Sequence, residues 1–197
     1  MGAKTESMLK LMELGVNTPV FEVLSSSQAV MEFIEKGAKW DKFSIRTDNK
    51  KGLALYKKWG LPFFPNRTWG ETVDVLEGEL LQLVDKNLDI IVAEGINPED
   101  SLVSGRYLRD FKGDIVDYVL GPSTGRDVEA GVPKQWNPSY SANPPLPEIT
   151  KVADYAKSPS FLRVFRVPFV LEFSIYPYPI GKLRDKLIFW EVIEVHE

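Results

Sequence analysis

Apolar residues repeat at helical spacing in three stretches of the first half of the chain. The stretch KTESMLKLMELG places Met8, Leu11 and Leu14 on one face, and Gly15 follows as a stop signal. SSSQAVMEFIEKG begins with serines that suit a helix N-cap and ends at Gly37, and ETVDVLEGELLQLVDKN is the third stretch. The pattern predicts three helices, with short strands at VFEVL and DKFSIRT between them.

The second half of the chain has a different pattern, in which short apolar runs alternate with Gly, Pro and Asp turns. DIIVAEGI, LVSGRYLRD and DIVDYVLG indicate successive strands, ITKVADYAKS a short helix and EFSIYPYPIGKLRDKLIFWEV a β-hairpin. Two proline-containing segments, LPFFPNRTW and the loop 133–148 that includes Trp136, are predicted to lack regular structure. The loop is either a mobile flap or a connector.

The order of these elements predicts two lobes. A mixed α/β lobe over residues 1–88 precedes a mainly antiparallel lobe over residues 89–197, and a cleft is expected between them. A chain of 197 residues with 44% hydrophobic residues can bury a core of this size. We therefore place the chain in the α+β class, with mixed or antiparallel sheets.

The composition excludes several kinds of chemistry. The chain has no cysteine and its single histidine, His196, is next to last, which excludes thiolate catalysis, disulfides and multi-histidine zinc sites. A net charge of −4 gives no electrostatic reason to expect nucleic acid as a partner. No signal or membrane-length apolar segment is present, so we expect a cytoplasmic protein with no membrane partner.

The C-terminal hairpin carries one carboxylate in each apolar strand, Glu172 and Glu191. Strand alternation places Glu172 with Val170, Ser174 and Tyr176, and Glu191 with Leu187, Phe189 and Ile193. A hairpin symmetric about Gly181 and Lys182 places the two glutamates directly opposite each other. Two opposed carboxylates need a bridging cation or proton, and oxygen ligands of this kind suit Mg²⁺ or Mn²⁺. The alternative is that one glutamate is exposed or paired with a Lys or Arg.

Two elements of the first lobe are similar to a known family. GAKTESMLKLMELGVNTPVFEVLSSSQAVMEFI resembles the opening of the nucleotide-binding domain of phosphoenolpyruvate synthase and pyruvate phosphate dikinase, which has the ATP-grasp fold. That opening has a glycine-lysine pair at a helix start, and its lysine contacts phosphate, which implies this role for Lys4. The family's V-R-S-S element, whose arginine also binds phosphate, resembles FSIRTD and implies the same role for Arg46.

The resemblance continues into the second lobe. IIVAEGINPED resembles the adenine-side strand of ATP-grasp proteins, which implies that Ala93, Glu94, Gly95 and Ile96 hold the base and ribose of ATP. The final hairpin resembles the paired strands that carry the metal-binding acidic residues, and those residues correspond to Glu172 and Glu191. The chain departs from the family in its shorter length, in the missing glycine-rich phosphate loop and at Val170, where the family has Asp.

The resemblance implies an ATP- and Mg²⁺-binding, ATP-grasp-like protein. If it is an enzyme, it transfers a phosphoryl group from ATP to an unknown small-molecule or protein acceptor, as a phosphotransferase or a ligase does. Arg163 and Arg166 precede the hairpin; either one contacts the transferred phosphate, Arg166 being our candidate, or forms a salt bridge with Glu172. The alternatives are a non-catalytic nucleotide-binding module and a protein-interaction module that lacks the full catalytic set.

Overall fold

The computed structural model describes residues 2–50, 61–121, 134–137, 144 and 146–194. The helices are α1 (Ala3–Glu13), α2 (Ser27–Lys36), α3 (Trp69–Val75), α4 (Leu81–Val84), α5 (Pro147–Ala156) and α6 (Pro159–Val164). The strands are β1 (Phe21–Leu24), β2 (Phe43–Asn49), β3 (Phe63–Arg67), β4 (Leu88–Glu94), β5 (Val103–Arg109), β6 (Asp114–Leu120), β7 (Lys134–Trp136), β8 (Phe169–Ile180) and β9 (Asp185–Glu194).

The first compact unit comprises Met1–Glu6 and Pro19–Asn97 and contains a four-stranded sheet of order β1-β4-β2-β3. Every neighbouring pair in this sheet is antiparallel. One face of the sheet packs on the helices. In β2 apolar residues alternate with polar ones, whereas β4 contains a continuous apolar run, residues 90–93, that is buried on both faces. The core cluster consists of Leu24, Val30, Phe33, Phe43, Ile45, Leu76, Leu80, Val84, Ile90 and Val92.

The three helices predicted for the first half of the chain are confirmed. In α2 the Ser26 side chain accepts a hydrogen bond from Ala29 N–H, and Gly37 ends the helix with a φ of 78°. The third helix begins with a capping box between Thr68 and Glu71 and runs from α3 to α4 through a π-helical turn at Leu76–Leu80.

The segment LPFFPNRTW was wrongly predicted to be irregular, because it contains β3. Among the described residues, this strand lies at the edge of the sheet and pairs only with β2. Pro65 is tolerated there since an edge strand leaves one row of backbone groups without a ladder partner. The pairing also shifts register between Phe43 and Ile45, and Asn66 has a φ of 53°, so the strand is distorted around the proline.

The second unit comprises Ser7–Thr18 and Pro98–Glu197 and contains a five-stranded antiparallel sheet of order β7-β6-β5-β8-β9. One face of this sheet forms a core with α5, α6 and apolar residues of α1. The buried residues of that core include Leu11, Tyr107, Val116, Val152, Phe161, Phe169, Leu171, Phe173, Phe189 and Val192.

The loop 133–148 is more ordered at its start than predicted. Lys134–Trp136 forms β7 and pairs with β6, and the Trp136 side chain is 7% exposed within the core of the second unit. A buried tryptophan at this position packs the sheet and does not belong to a mobile flap. Most of the remaining loop lies outside the described residues. Helix α6, which the sequence pattern did not indicate, follows the predicted α5 after two residues, Lys157 and Ser158.

The predicted boundary between the two lobes, between residues 88 and 89, falls directly after Leu88, the first residue of β4. This strand pairs with β1 and β2, and the first unit accordingly extends to Asn97. No helix among the described residues is long and apolar enough to span a membrane.

Tyr107 lies fully buried in the core of the second unit, and we expect the stability of the protein to fall at high pH for this reason. Burial raises the pKa of Tyr107 well above its usual value, the charge of Asp114 acts in the same direction, and Arg109 opposes them. The unfolded chain ionises this phenol above about pH 10 while the folded chain keeps it neutral, so the stabilisation present below pH 10 is lost as the pH rises further.

We expect Tyr107→Phe to remove part of this alkaline destabilisation. One such tyrosine lowers the free energy of unfolding by about 1.4 kcal/mol per pH unit above pH 10, whereas loss of its hydroxyl changes stability at pH 8 by about 1 kcal/mol or less. Urea unfolding at pH 8 and pH 11 measures both. An equal decline in the two proteins between these pH values contradicts the assignment.

Candidate functional site

The sheet of the second unit has one polar face, which lies opposite its core. Residues at alternate positions of β5, β6 and β8 leave the core face and carry polar or charged side chains in the middle of the sheet. On this face Arg106 and Glu172 are 23% and 21% exposed at the side chain, so water reaches both. Half-burial of charges on an otherwise apolar sheet marks this face as a candidate site.

A row of polar residues crosses the sheet at one level, and we call it the charged row. Its members occupy directly paired positions on five neighbouring strands, from β7 to β9: Gln135, Asp117, Arg106, Glu172 and Glu191. The Gln135 amide donates to Asp117 Oδ1 at 2.9 Å, and Arg106 Nε lies 3.5 Å from Glu172 Oε1. The row therefore places one cation between carboxylates contributed by strands that are far apart in sequence.

The predicted opposition of Glu172 and Glu191 is confirmed, since the two residues pair directly across β8 and β9. The predicted face of Glu191 was wrong. Leu187 and Phe189 are buried in the core, whereas Glu191 lies on the polar face with Glu172. The reason is a register shift between Glu172 and Phe173: Trp190 is inserted as an extra residue, and this β-bulge reverses the alternation of β9 beyond it.

The hairpin is also less symmetric than predicted. Its turn is centred between Lys182 and Leu183, because Ile180 pairs with Asp185, and a second register shift lies between Ile175 and Ile180. The two irregularities shift the strand register in opposite directions, and beyond both of them Glu172 pairs with Glu191. The prediction of opposed glutamates was thus right although its premise of a regular hairpin was wrong.

Arg106 is an ion-pair partner of Glu172, on the neighbouring strand β5. Arg166, the candidate from the sequence, lies in the connection between α6 and β8 with an exposed side chain, and its backbone N–H donates to Glu194 Oε1 at 2.7 Å. Arg163 is on α6, where its Nε donates to the Pro159 carbonyl. The role of Arg166 toward a phosphate stays a prediction.

The donor set of the charged row fits a divalent cation in part. Two carboxylates face each other from adjacent strands, and hard oxygen ligands suit Mg²⁺ or Mn²⁺. No group of three or more His, Cys, Asp or Glu able to hold a metal occurs among the described residues. Val170 lies on the same face next to Glu172 and contributes no oxygen. A cation held here needs further ligands from a bound phosphate or from water.

In the first unit the start of α1 is anchored to the end of β2. Thr5 N–H and Thr5 Oγ1 both donate to Asp48 Oδ2, at 2.7 and 2.9 Å, so a buried carboxylate of β2 caps the helix. A Cβ on Gly2 would overlap Asn49 O and the Asp48 carboxylate, which explains the glycine. Lys4, half-buried in the first turn of α1, is thereby held near the strand that carries Arg46.

Arg46 lies in the middle of β2, on the sheet face opposite Phe43 and Ile45, which belong to the core. Its guanidinium carbon lies 5.0 Å from the centre of the Phe63 ring on β3, a cation–π geometry. Stacking on a ring orients the plane of the guanidinium. Arg46 is half-buried and keeps the chemistry to bind a phosphate.

The segment Ala93–Ile96 lies at the end of β4, and two of its backbone N–H groups form hydrogen bonds within the first unit. Glu94 N–H donates to the Val20 carbonyl and Gly95 N–H to the Lys42 carbonyl, both at 2.8 Å. A Cβ on Gly95 would lie 2.6 Å from Lys42 C and from Phe43 N, so only glycine permits this approach. Ala93 and Ile96 are buried and supply an apolar surface.

Two features of the polar face were not predicted from the sequence, Asp117 and the bulge at Trp190, and Arg106 was not predicted to pair with Glu172. Arg106 and Asp117 could have been found from the alternation of β5 and β6, which places a charged residue at the centre of each strand. The bulge is visible in the sequence only as a change of spacing: two residues, instead of one, separate the core residues Phe189 and Val192.

Comparisons with known proteins identify the fold. No protein-family model and no curated protein matches the sequence. Among solved structures, N5-carboxyaminoimidazole synthetase from Staphylococcus aureus complexed with ADP is 14% identical with a TM-score of 0.53, over 99% of this chain and 45% of that one. A RimK domain protein ATP-grasp from Sphaerobacter thermophilus is 14% identical with a TM-score of 0.51, over 96% and 58%.

The macrocyclase MdnC from Microcystis aeruginosa, solved with its precursor peptide MdnA, is 17% identical with a TM-score of 0.51, over 98% of this chain and 52% of that one. The chain spans about half of the length of these structures. At this level of identity the likeness concerns the fold alone. The chain has an ATP-grasp-like α+β fold with two antiparallel sheets, as predicted.

Proposed function

We propose that this chain binds ATP with Mg²⁺ or Mn²⁺ and transfers its terminal phosphoryl group to an acceptor, as an ATP-dependent ligase or phosphotransferase. The observation that carries the proposal is the direct pairing of Glu172 with Glu191 on a polar, solvent-reached sheet face of an ATP-grasp-like fold. ADP in one similar structure supports the choice of nucleotide.

Each predicted residue has a part in this proposal. Lys4, Arg46 and Arg166 bind the phosphates, and the segment Ala93–Ile96 binds adenine and ribose through carbonyl groups, the Ile96 N–H and apolar contact. Glu172 and Glu191 hold the cation, which when bound supplies neutralisation of phosphate charge. Such a transfer depends on positioning and electrostatics more than on a nucleophilic side chain, which suits a chain without cysteine.

The acceptor we propose is a carboxylate of a small molecule or of a protein. Two similar proteins indicate this range, since one is an L-amino acid ligase from Bacillus licheniformis and another was solved with a precursor peptide. Ligation through a phosphorylated carboxylate leaves ADP and phosphate, whereas a phosphotransferase keeps the phosphate on its product. The finer likeness to a shortened nucleotide-binding domain of phosphoenolpyruvate synthase, and a cytoplasmic location, remain predictions.

Nucleotide binding is tested by thermal unfolding with ATP and Mg²⁺. We expect saturating Mg-ATP to raise the midpoint, because a ligand at 100 times its Kd stabilises the native state by about 2.7 kcal/mol. ATP or Mg²⁺ alone should produce a smaller shift, since each completes only part of the site. An unchanged midpoint with Mg-ATP, in a protein that unfolds cooperatively, contradicts the proposal.

A second candidate function is a nucleotide-binding module without catalysis. It is favoured by Val170, which stands beside Glu172 where the resembling family has an aspartate, and by the presence of only two paired carboxylates on the charged row. Both functions predict the Mg-ATP shift, but only the enzyme releases ADP when candidate amino acids or peptides are added. ADP release therefore separates the two.

A further inference from the structure

The bulge in β9 determines which way Glu191 points. From Ile175 to Phe173 the hairpin runs in one register, in which Phe173 pairs with Phe189. If that register continued, Trp190 would lie opposite Glu172 and Glu191 would turn toward the core. The observed insertion of Trp190 places Glu191 opposite Glu172 and returns Val192 to the core. Bulges that redirect a side chain in this way are common beside active sites.

A side-chain hydrogen bond attaches the bulged residue to the neighbouring strand. The Trp190 indole N–H donates to Ser174 Oγ at 2.8 Å, and Ser174 Oγ lies 2.9 Å from Ser104 Oγ on β5. Ser174 shares its face with Glu172, two residues away on β8. Ser104 and Ser174 are 2% and 5% exposed, so water does not readily replace these bonds.

Backbone contacts on the outer side of β9 agree with the bulged register. Phe189 N–H donates to the Asn17 carbonyl at 2.9 Å, and Val192 N–H donates to Ser7 Oγ at 2.6 Å. In a regular strand outward N–H groups recur at every second residue, whereas these two are three residues apart. Trp190, the extra residue, thus lies between two residues whose backbone N–H groups are held by hydrogen bonds.

We propose that Trp190 is a positioning residue: its bond to Ser174 holds the bulge and so keeps Glu191 beside Glu172 as the second carboxylate of the cation site. The inference rests on the proposed function for the role of the glutamates. The position of Glu191 opposite Glu172 does not depend on that function and is tested separately. No described atom of Trp190 needs to touch nucleotide for this role.

The absence of cysteine from the chain allows a direct test of the register. A Glu172→Cys, Glu191→Cys variant should form a disulfide under mild oxidation, because directly opposed Cβ atoms lie about 4.5–5.5 Å apart. The pair Glu172→Cys, Ile193→Cys is the matched control, since Ile193 is on the same face but pairs with Val170. We expect at least tenfold slower closure in this control, measured by mass spectrometry.

Trp190→Phe keeps an aromatic ring and removes the indole donor. In the first cysteine pair we expect it to slow disulfide closure about fivefold, the population change caused by losing one buried hydrogen bond. Ser174→Ala should have the same effect, and the two changes together should add little to either one. Ser104→Ala is the control, because it leaves the Trp190–Ser174 bond in place. Closure at the parent rate in both Trp190→Phe and Ser174→Ala overturns the proposal.

The consequence for the cation site is measured with the glutamates restored. Mn²⁺ binding to the ADP-saturated protein, followed by electron paramagnetic resonance, should weaken about tenfold in Trp190→Phe and in Ser174→Ala. Ser104→Ala should retain the parent affinity. A variant that unfolds at a lower temperature but binds Mn²⁺ as the parent does shows a purely structural role and also overturns the proposal.

Failure of the proposed function gives a different result. If Glu172→Gln and Glu191→Gln leave Mn²⁺ affinity unchanged, the cation assignment is wrong, yet the disulfide test still reports whether Trp190 holds Glu191 opposite Glu172. If both glutamine variants lose Mn²⁺ and Trp190→Phe does not, the function stands and only the positioning role is lost.

Discussion

The double variant Glu172→Gln, Glu191→Gln is expected to abolish the stabilisation by Mg-ATP while changing the stability of the ligand-free protein by no more than about 1 kcal/mol, because relief of the carboxylate repulsion opposes loss of the Arg106–Glu172 ion pair. Two like charges directly opposed on neighbouring strands cost roughly 0.2–1 kcal/mol, and amides remove that repulsion. Loss of supporting residues around a metal site already weakens binding 10–100-fold, so loss of two ligands should exceed about 100-fold.

The loss of the Mg-ATP shift, with little change in the stability of the ligand-free protein, separates a ligand role from a structural role. Thermal unfolding with and without Mg-ATP measures both in one experiment. Glu77→Gln is the control, since Glu77 is exposed in the π-helical turn of the first unit and carries the same charge change. If the double variant loses stability without ligand and keeps the full Mg-ATP shift, the carboxylates are structural and the cation site is wrong.

Arg106 causes the two single glutamine variants to differ. Its Nε lies 3.5 Å from Glu172 Oε1, so Glu172→Gln also removes an ion pair at the middle of the charged row. Glu191→Gln leaves this ion pair in place. The single variants should therefore differ, because Glu172→Gln adds the loss of the arginine contact, about 1 kcal/mol at this exposure.

Gly95→Ala is expected to destabilise the first unit by about 2–3 kcal/mol and to weaken nucleotide binding. The added Cβ would lie 2.6 Å from the backbone of Lys42 and Phe43, and backbone atoms cannot move aside as a flexible side chain does. Relief of the overlap requires β4 to separate from β2, which lengthens the bond from Gly95 N–H to the Lys42 carbonyl. The proposed adenine segment then loses its geometry.

Gly78→Ala is the matched control for that change. Gly78 lies in the π-helical turn of the same unit, and a Cβ there meets no atom within 4 Å. Alanine at a helical position should stabilise the chain by about 0.5–1 kcal/mol through helix propensity. We therefore expect the urea unfolding midpoints of the two variants to shift in opposite directions. Equal midpoints for Gly95→Ala and the parent contradict the close approach at Gly95.

Local sequence chemistry was enough to predict most elements. The caps at Ser26 and Gly37, the capping box at Thr68 and the stop at Gly15 bound the helices where the apolar spacing places them. It was not enough for β3, where edge position overrides the usual effect of Pro65, or for β7, where burial of Trp136 organises a polar, proline-rich stretch. Both errors concern residues whose structure depends on a distant partner strand.

The sequence by itself determined the α+β class, most of the helices and strands along the chain and the presence of one glutamate in each arm of the last hairpin. Only the tertiary structure decided that Arg106 and Asp117 lie in line with those glutamates, because cross-strand neighbours come from distant parts of the chain. It also decided the face of Glu191. Alternation has a period of two residues, so one inserted residue, Trp190, transfers every following side chain to the other face.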